Sequence, residues 1–267
     1  MVDISSFAAR QLRDYDARAP GTLFSQGISL NEEEAYAIQA EVSRLREKRG
    51  ERVIGYKIGC LSAVVQEQLG IDHPIFGRLF ASECQESGVE LSLNRFTGLA
   101  IEGELAIRLM EKVPSTGADD DRILRCVSSV FPVIELHNYV LRGPHPAATE
   151  LIANNGLHAG FVMPSEDLGV PSSDNLSLRI LLNGGTVVEL PRFPWRETIV
   201  RSVAELSSLL ATHGLSLGEG QIVLTGSLAE LIRIPAATNV EVDIPNHGRV
   251  AACFVCANRS SHDTAST

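Results

Sequence analysis

Four charged residues lie among apolar neighbours, where charge needs a reason. In IEGELAIRL, residues 101–109, Glu102 and Glu104 stand one residue apart. Side chains of an extended strand alternate between faces. Ile101, Leu105, Ile107 and Leu109 therefore share one face, and Glu102, Glu104 and Arg108 the other. Spacing alone favours a solvent-wetted second face, with Arg108 placed to pair with Glu104. Glu135 shifts that balance. It closes the apolar run FPVIE, residues 131–135, and a carboxylate there is costly unless paired, protonated or bound to a cation. If a second strand brings Glu135 beside the first two, three carboxylates repel and a hard divalent cation relieves them. Mg2+ or Mn2+ takes oxygen ligands octahedrally, which leaves positions for water or a chelating substrate.

Lys57 is the fourth. It sits in GYKIG, residues 55–59, between two glycines. One reading is an edge-strand lysine facing solvent. The other is a close approach to the backbone, which the glycines permit, with the ammonium binding a substrate carboxylate or passing a proton. His137 follows Glu135 by two positions and shares its face if the strand continues. A lone histidine is more often structural than catalytic.

The elements that must position these residues read as helices first and strands after. In LNEEEAYAIQAEVSRLREKRG, Asn31 is a good N-cap and Glu34 stands at the capping-box position. Ala35, Ile38, Val42 and Leu45 form one apolar stripe, and Gly50 ends the helix. A short strand over 52–60 and a short helix over 61–70 follow. Strands are expected at 99–109, 131–136, 160–163, 176–182, 186–190, 221–225 and 239–244. LRILLNGGTVVEL is a hairpin turning at Asn183-Gly184-Gly185. Two helices interrupt the strands, one opening after Asp119–Asp121, which reads as solvated capping, and one over 198–213. This order lacks βαβα alternation and predicts an α+β protein. It is read as a single domain over 1–267, with a helical N-terminal segment (1–51), a β-rich catalytic core (52–256) and a flexible tail (257–267).

A chain of 267 residues with 44% hydrophobic content can bury a large core. Its net charge of −10 argues against a nucleic-acid partner. No apolar run reaches the length of a membrane span. The N-terminus has the wrong order of charged and apolar residues for a signal peptide, so the expected location is the cytoplasm. Five cysteines at scattered spacing suggest no disulfide framework, and Cys253 with Cys256 reads as a pair of ordinary buried thiols.

LNEEEAYAIQAEV, GYKIG, EQLGIDHPIFGRL, AIEGELAIRL, PVIEL, ANNG and IVLTGSL occur in this order from Asn31 toward the C-terminus. Together they resemble the 2-hydroxypenta-2,4-dienoate (2-keto-4-pentenoate) hydratases and the related 4-oxalocrotonate decarboxylases of the fumarylacetoacetate hydrolase superfamily. The resemblance implies a fumarylacetoacetate-hydrolase-like β-roll or barrel with peripheral helices, in a homo-oligomer that can associate with a related pathway enzyme. It implies a metal triad at Glu102, Glu104 and Glu135, holding Mg2+ or Mn2+, and an active-site lysine at Lys57. It places Asp72, Asn155 and, more weakly, Ser227 beside a small 2-oxo acid substrate. The chain also departs from the family pattern. Asn138 stands where an acid is usual, Asn154-Asn155-Gly156 replaces D-N-A, and Ile75 replaces another acid, while His137, His145 and His158 are extra.

The expected reaction is metal-assisted hydration of a 2-hydroxy-dienoate through its 2-oxo-enoate tautomer. Asn138 and Asn155 could position water but cannot act as strong bases, which leaves Asp72, His137 or water on the cation. A decarboxylase of a 2-oxo-3-enedioate is the rival reading, with His137, Arg142 or His158 available to hold a second carboxylate. An acylpyruvate-type C–C hydrolase and a non-catalytic partner subunit are the remaining alternatives.

Overall fold

The computed structural model describes residues 2–18, 23–24, 27–115, 117–140 and 147–256. The expected tail at 257–267, Arg142 and His145 lie outside the described residues. In chain order the helices are α1 (Ile4–Asp16), α2 (Glu32–Lys48), α3 (Ala63–Leu69), α4 (Asp120–Arg125), α5 (Ala148–Ala153) and α6 (Trp195–Thr212). The strands are β1 (Val53–Gly59), β2 (Ile75–Phe80), β3 (Cys84–Glu86), β4 (Val89–Ser92), β5 (Leu99–Leu109), β6 (Val127–Asn138) and β7 (His158–Met163). They continue as β8 (Asn175–Leu182), β9 (Gly185–Pro194), β10 (Ile222–Leu224), β11 (Ile232–Arg233), β12 (Thr238–Ile244) and β13 (Gly248–Val255).

Local signals account for most of these elements. Asn31 caps α2 by accepting from the Glu34 N–H, and the Glu34 carboxylate accepts from the Asn31 N–H in return. Asp119 caps α4 in the same way, accepting from the Arg122 N–H at 2.7 Å. Asn183 and Gly184, both at positive φ, make the two-residue turn that joins β8 to β9. Helix α6 begins three residues earlier than expected because Trp195 is fully buried, its indole N–H donating to the Ser173 carbonyl. Two elements have no clear periodic signal. β2 is buried at every position, so alternation is erased, and α5 is too short to show a stripe. The C-x-x-C expectation fails in part: β13 ends at Val255, which leaves Cys253 half-buried and Cys256 exposed.

The fold is a mixed α and β structure with two sheets. The larger runs β2-β1-β10-β5-β6-β7-β3, with β11 added against β5, and the smaller runs β4-β13-β12-β8-β9. The smaller sheet packs on one face of β5. A Cβ at Gly103 would lie 2.8 Å from the Ile180 side chain and 3.0 Å from Val242, so a side chain between the two glutamates would push against the facing sheet. Ile101, Leu105 and Ile107 fill the main core on that side. The opposite face is not wet, contrary to the reading from spacing alone. Leu79, Ala106, Phe131, Val133, Phe161, Ile222 and Leu224 form a second apolar cluster there. The charged residues sit beside that cluster, farther along the same strands.

Candidate active site and metal centre

Register builds the site. In the antiparallel β5–β6 pair, Glu102 lies directly opposite Glu135, Glu104 opposite Val133, and Ala100 opposite His137. Strand alternation then puts Glu102, Glu104, Glu135 and His137 on one face. Lys57 reaches the same point from β1, which lies between β2 and β10 and is not an edge. The first of its flanking glycines has a structural cause: a Cβ at Gly55 would stand 1.9 Å from the Ile222 carbonyl oxygen of β10. A β-bulge between Leu136 and His137 aligns His158 of β7 with His137.

The contacts form a closed network. Lys57 Nζ is 2.8 Å from Glu135 Oε1, and His158 Nδ1 is 2.8 Å from the same oxygen. His137 Nε2 lies 3.0 Å from Glu102 Oε2 and 3.5 Å from Glu135 Oε2. Glu104 Oε2 accepts the Gly226 N–H at 2.9 Å. Glu135 is fully buried and Glu104 nearly so, whereas the Glu102 side chain keeps 20% of its exposure and marks the mouth. Arg108 takes no part, so the expected Arg108–Glu104 pair does not form.

Electrostatics separate the three acids. Burial pushes Glu104 up, and the neighbouring Glu135 and Glu102 push it further, so its carboxyl stays protonated well above the usual range. Burial also acts on Glu135, but Lys57 and His137 outweigh it and hold its carboxyl well below that range. Glu102 is lowered too, with His137 and Lys57 overcoming burial. Burial alone would discharge Lys57, yet Glu135, Glu102 and Glu104 keep it a charged ammonium. The His137 imidazole, pulled down by burial and up by Glu135 and Glu102, settles at about 9. Anionic Glu102 and Glu135, protonated Glu104 and two cationic neighbours make a site in which a divalent cation can replace protons.

The donor set fits such an ion. One atom each from Glu102, Glu135 and His137 lie within 4.8 Å of one another. Glu135 Oε2 and Glu104 Oε1 are buried without a hydrogen-bond partner, as carboxylate oxygens free to take a ligand would be.

The remaining expected site residues fall elsewhere. Asp72 points into solvent, with its side chain 98% exposed, and does not join the cluster. Ser227 Oγ closes a turn onto Ala229, donating to its carbonyl and accepting from its N–H, one residue beyond the Gly226 amide that holds Glu104. Asn138 accepts from the Thr97 and Gly98 N–H groups and fixes the entry to β5. Asn155 accepts from the Arg78 N–H at 2.7 Å and donates to the Arg78 carbonyl at 2.8 Å, extending the free edge of β2. That pairing brings the Gly156 carbonyl to 3.5 Å from Lys57 Nζ. Asn138, Asn155 and His158 also line a pocket whose wall includes Gln39, Asn154 and Arg78. Sequence reasoning offered His158 only for a second substrate carboxylate, not as the partner of Glu135 it proves to be, and did not single out Arg78 or the Gly226 amide. Contact with Glu135 depends on a bulge, and backbone donors leave no side-chain signature.

This arrangement of strands has clear relatives. The fold matches that of 4-oxalocrotonate decarboxylase from Pseudomonas putida G7, solved with magnesium and adipate, at a TM-score of 0.84 and 21% identity, covering 94% of this chain and 97% of that one. In sequence, the chain is 30% identical over 243 residues to the 2-hydroxyhexa-2,4-dienoate hydratase of Comamonas testosteroni, covering 89% of this chain and 92% of that protein. It is 29% identical over 230 residues to a 2-keto-4-pentenoate hydratase of Burkholderia vietnamiensis, covering 82% and 85%. No family model matches the chain. The protein belongs to the 2-keto-4-pentenoate hydratase and 4-oxalocrotonate decarboxylase family of the fumarylacetoacetate hydrolase superfamily.

Proposed function

We propose that the protein is a metal-dependent hydro-lyase that adds water to a small 2-hydroxy-dienoate through its 2-oxo-enoate tautomer. The observation that carries this reading is the buried pairing of Glu102 with Glu135 across β5 and β6, with Lys57 against the latter. A divalent cation held by these glutamates, with Mg2+ or Mn2+ expected, supplies Lewis-acid stabilisation of charge developing at the substrate 2-oxygen. The dienol first ketonises: the 2-hydroxyl loses its proton and the terminal carbon gains one. Water then adds across the enone, its oxygen bonding to C4 and a proton to C3, giving a 4-hydroxy-2-oxo acid. Lys57, held as an ammonium, pairs with the substrate carboxylate. Glu104 sits at the buried floor of the site, its Oε2 accepting the Gly226 N–H at 2.9 Å. Asp72, its side chain 98% exposed, is not used as the base in this reading. Homo-oligomeric assembly, a cytoplasmic location, a single-domain organisation and the β-roll description of the core belong to the same proposal. Among the described residues no helix is long and apolar enough to cross a membrane.

One observation favours the decarboxylase reading. Arg78 is buried, its side chain donates to the neutral Gln39 amide, and it lines the pocket that Asn155 and His158 share. A buried guanidinium beside the site suits a second substrate carboxylate. Of the groups expected to do this, His137 and His158 are engaged with glutamates.

The test is turnover of 2-hydroxypenta-2,4-dienoate and of a 2-oxo-3-enedioate by the metal-loaded protein and by its Glu102→Ala/Glu104→Ala variant. Hydration of the monocarboxylate, lost together with metal binding in the folded variant, supports the reading. Survival of both in the variant refutes the metal assignment, and CO2 release from the dicarboxylate alone moves the function to decarboxylation.

A further inference from the structure

We propose that His137 is itself a ligand of the cation, so that this chain holds a mixed carboxylate–imidazole centre selecting a transition ion such as Mn2+ over Mg2+. The inference rests on the metal-dependent reading above and concerns which of the chain's own atoms make the site.

The starting observation is which donors converge. The resemblance implies three carboxylates, yet the group of atoms within 4.8 Å of one another comes from Glu102, Glu135 and His137. Glu104 lies outside that group: one of its oxygens accepts the Gly226 N–H at 2.9 Å, and the other has no partner. The sequence cause is plain. Residues two apart on a strand share a face, so E-L-H at 135–137 aims Glu135 and His137 at the same point. The facing strand supplies Glu102 opposite Glu135. The bulge between Leu136 and His137 breaks the regular pairing with β7 at this position.

Orientation supports ligation. Nε2 is the ring atom that faces the glutamates, 3.0 Å from Glu102 and 3.5 Å from Glu135. Nδ1 is buried and has no hydrogen-bond partner. A salt bridge with Glu102 alone does not require the ring to approach a second carboxylate already paired with Lys57 and His158. An Nε2 placed between two carboxylate oxygens occupies the position of a third ligand around a shared ion.

Chemistry then sets the selectivity. Mg2+ favours oxygen donors and gives up water reluctantly, whereas an imidazole nitrogen raises affinity for first-row transition ions. Ligation also has a consequence for the reaction. An imidazole whose Nε2 lone pair is on a cation cannot accept a proton there, so His137 is removed as a candidate general base. Its Nδ1–H remains a buried donor with no partner among the described residues.

The test uses the purified full chain, stripped of metal and titrated with Mn2+. Electron paramagnetic resonance counts bound ion, and electron spin echo envelope modulation detects a coupled 14N nucleus. The expected result is one bound Mn2+ per chain with 14N modulation, retained in His158→Gln and absent in His137→Gln. Competition with Mg2+ should show the Mn2+ preference falling about tenfold or more in His137→Gln. Mn2+ bound by the wild-type protein without 14N modulation overturns the inference and leaves the metal reading intact. Modulation that persists in His137→Gln, or vanishes in His158→Gln, also overturns it. Failure of the wild-type chain to bind Mn2+ at all sinks the metal reading and the inference together. The wild-type and His158→Gln spectra decide the matter even if His137→Gln does not fold.

Discussion

Replacing Lys57 with methionine isolates the charge at the centre of the cluster. Methionine keeps much of the hydrocarbon stem, which runs beside Gly77 and Gly156, and removes only the ammonium. At an effective dielectric of about 20, unit charges 2.8 Å apart attract by about 6 kcal/mol. Part of that offsets the cost of burying the ions, and removing one partner of a buried pair costs about 3–5 kcal/mol. The metal-free variant should therefore melt roughly 6–15 °C below the wild type at pH 8. The loss must depend on pH. In the wild type Glu135 is held well below the usual carboxylate range. Its stabilisation is fully present above the unfolded value of about 4.3 and fades as pH falls through the lower folded value. Without Lys57 the folded variant takes up a proton at Glu135 at higher pH than the wild type does. The gap should thus narrow steadily from pH 8 to pH 5. Thermal melts in the presence of a chelator measure both points. Turnover of the dienoate should fall by about a hundredfold or more, since the substrate carboxylate loses its partner. A melting temperature within about 2 °C of wild type at both pH values, or an equal deficit at both, would refute the claim that Lys57 neutralises Glu135.

Two further changes test how the scaffold is held. Asn31→Ala removes the side-chain bond of the capping box on α2, leaving the Asn31 N–H to the Glu34 carboxylate, and should cost about 1 kcal/mol, seen as a drop of about 2–4 °C in melting temperature with turnover unchanged. Gly55→Ala drives a Cβ into the Ile222 carbonyl, 1.9 Å away, and should separate β1 from β10. The expected outcome is insoluble protein or a loss of several kcal/mol, and a soluble variant with wild-type melting would show that the two strands pair less closely than described.

Features written into neighbouring residues were legible in the chain, and features that depend on register were not. The box at Asn31 and Glu34 and the Asp119 cap involve side chains within a few positions of the backbone they bond, and the Asn183–Gly184 turn rests on two adjacent residues at positive φ. Glu102 and Glu104 show the other case. Period-two alternation correctly put them on one face, and it could not say how deep each would lie. One step of two residues along β5 moves from a carboxylate 20% exposed at the mouth to one 1% exposed against the Gly226 amide. That depth is set by a partner strand more than a hundred residues away and by an apolar cluster assembled from five strands. The same limit applies to His158, which meets Glu135 only because a bulge shifts β7 against β6. A sequence motif therefore specifies which acids share a face. Whether each becomes an anionic ligand or a proton store is decided by the cations and amides that the fold brings to it.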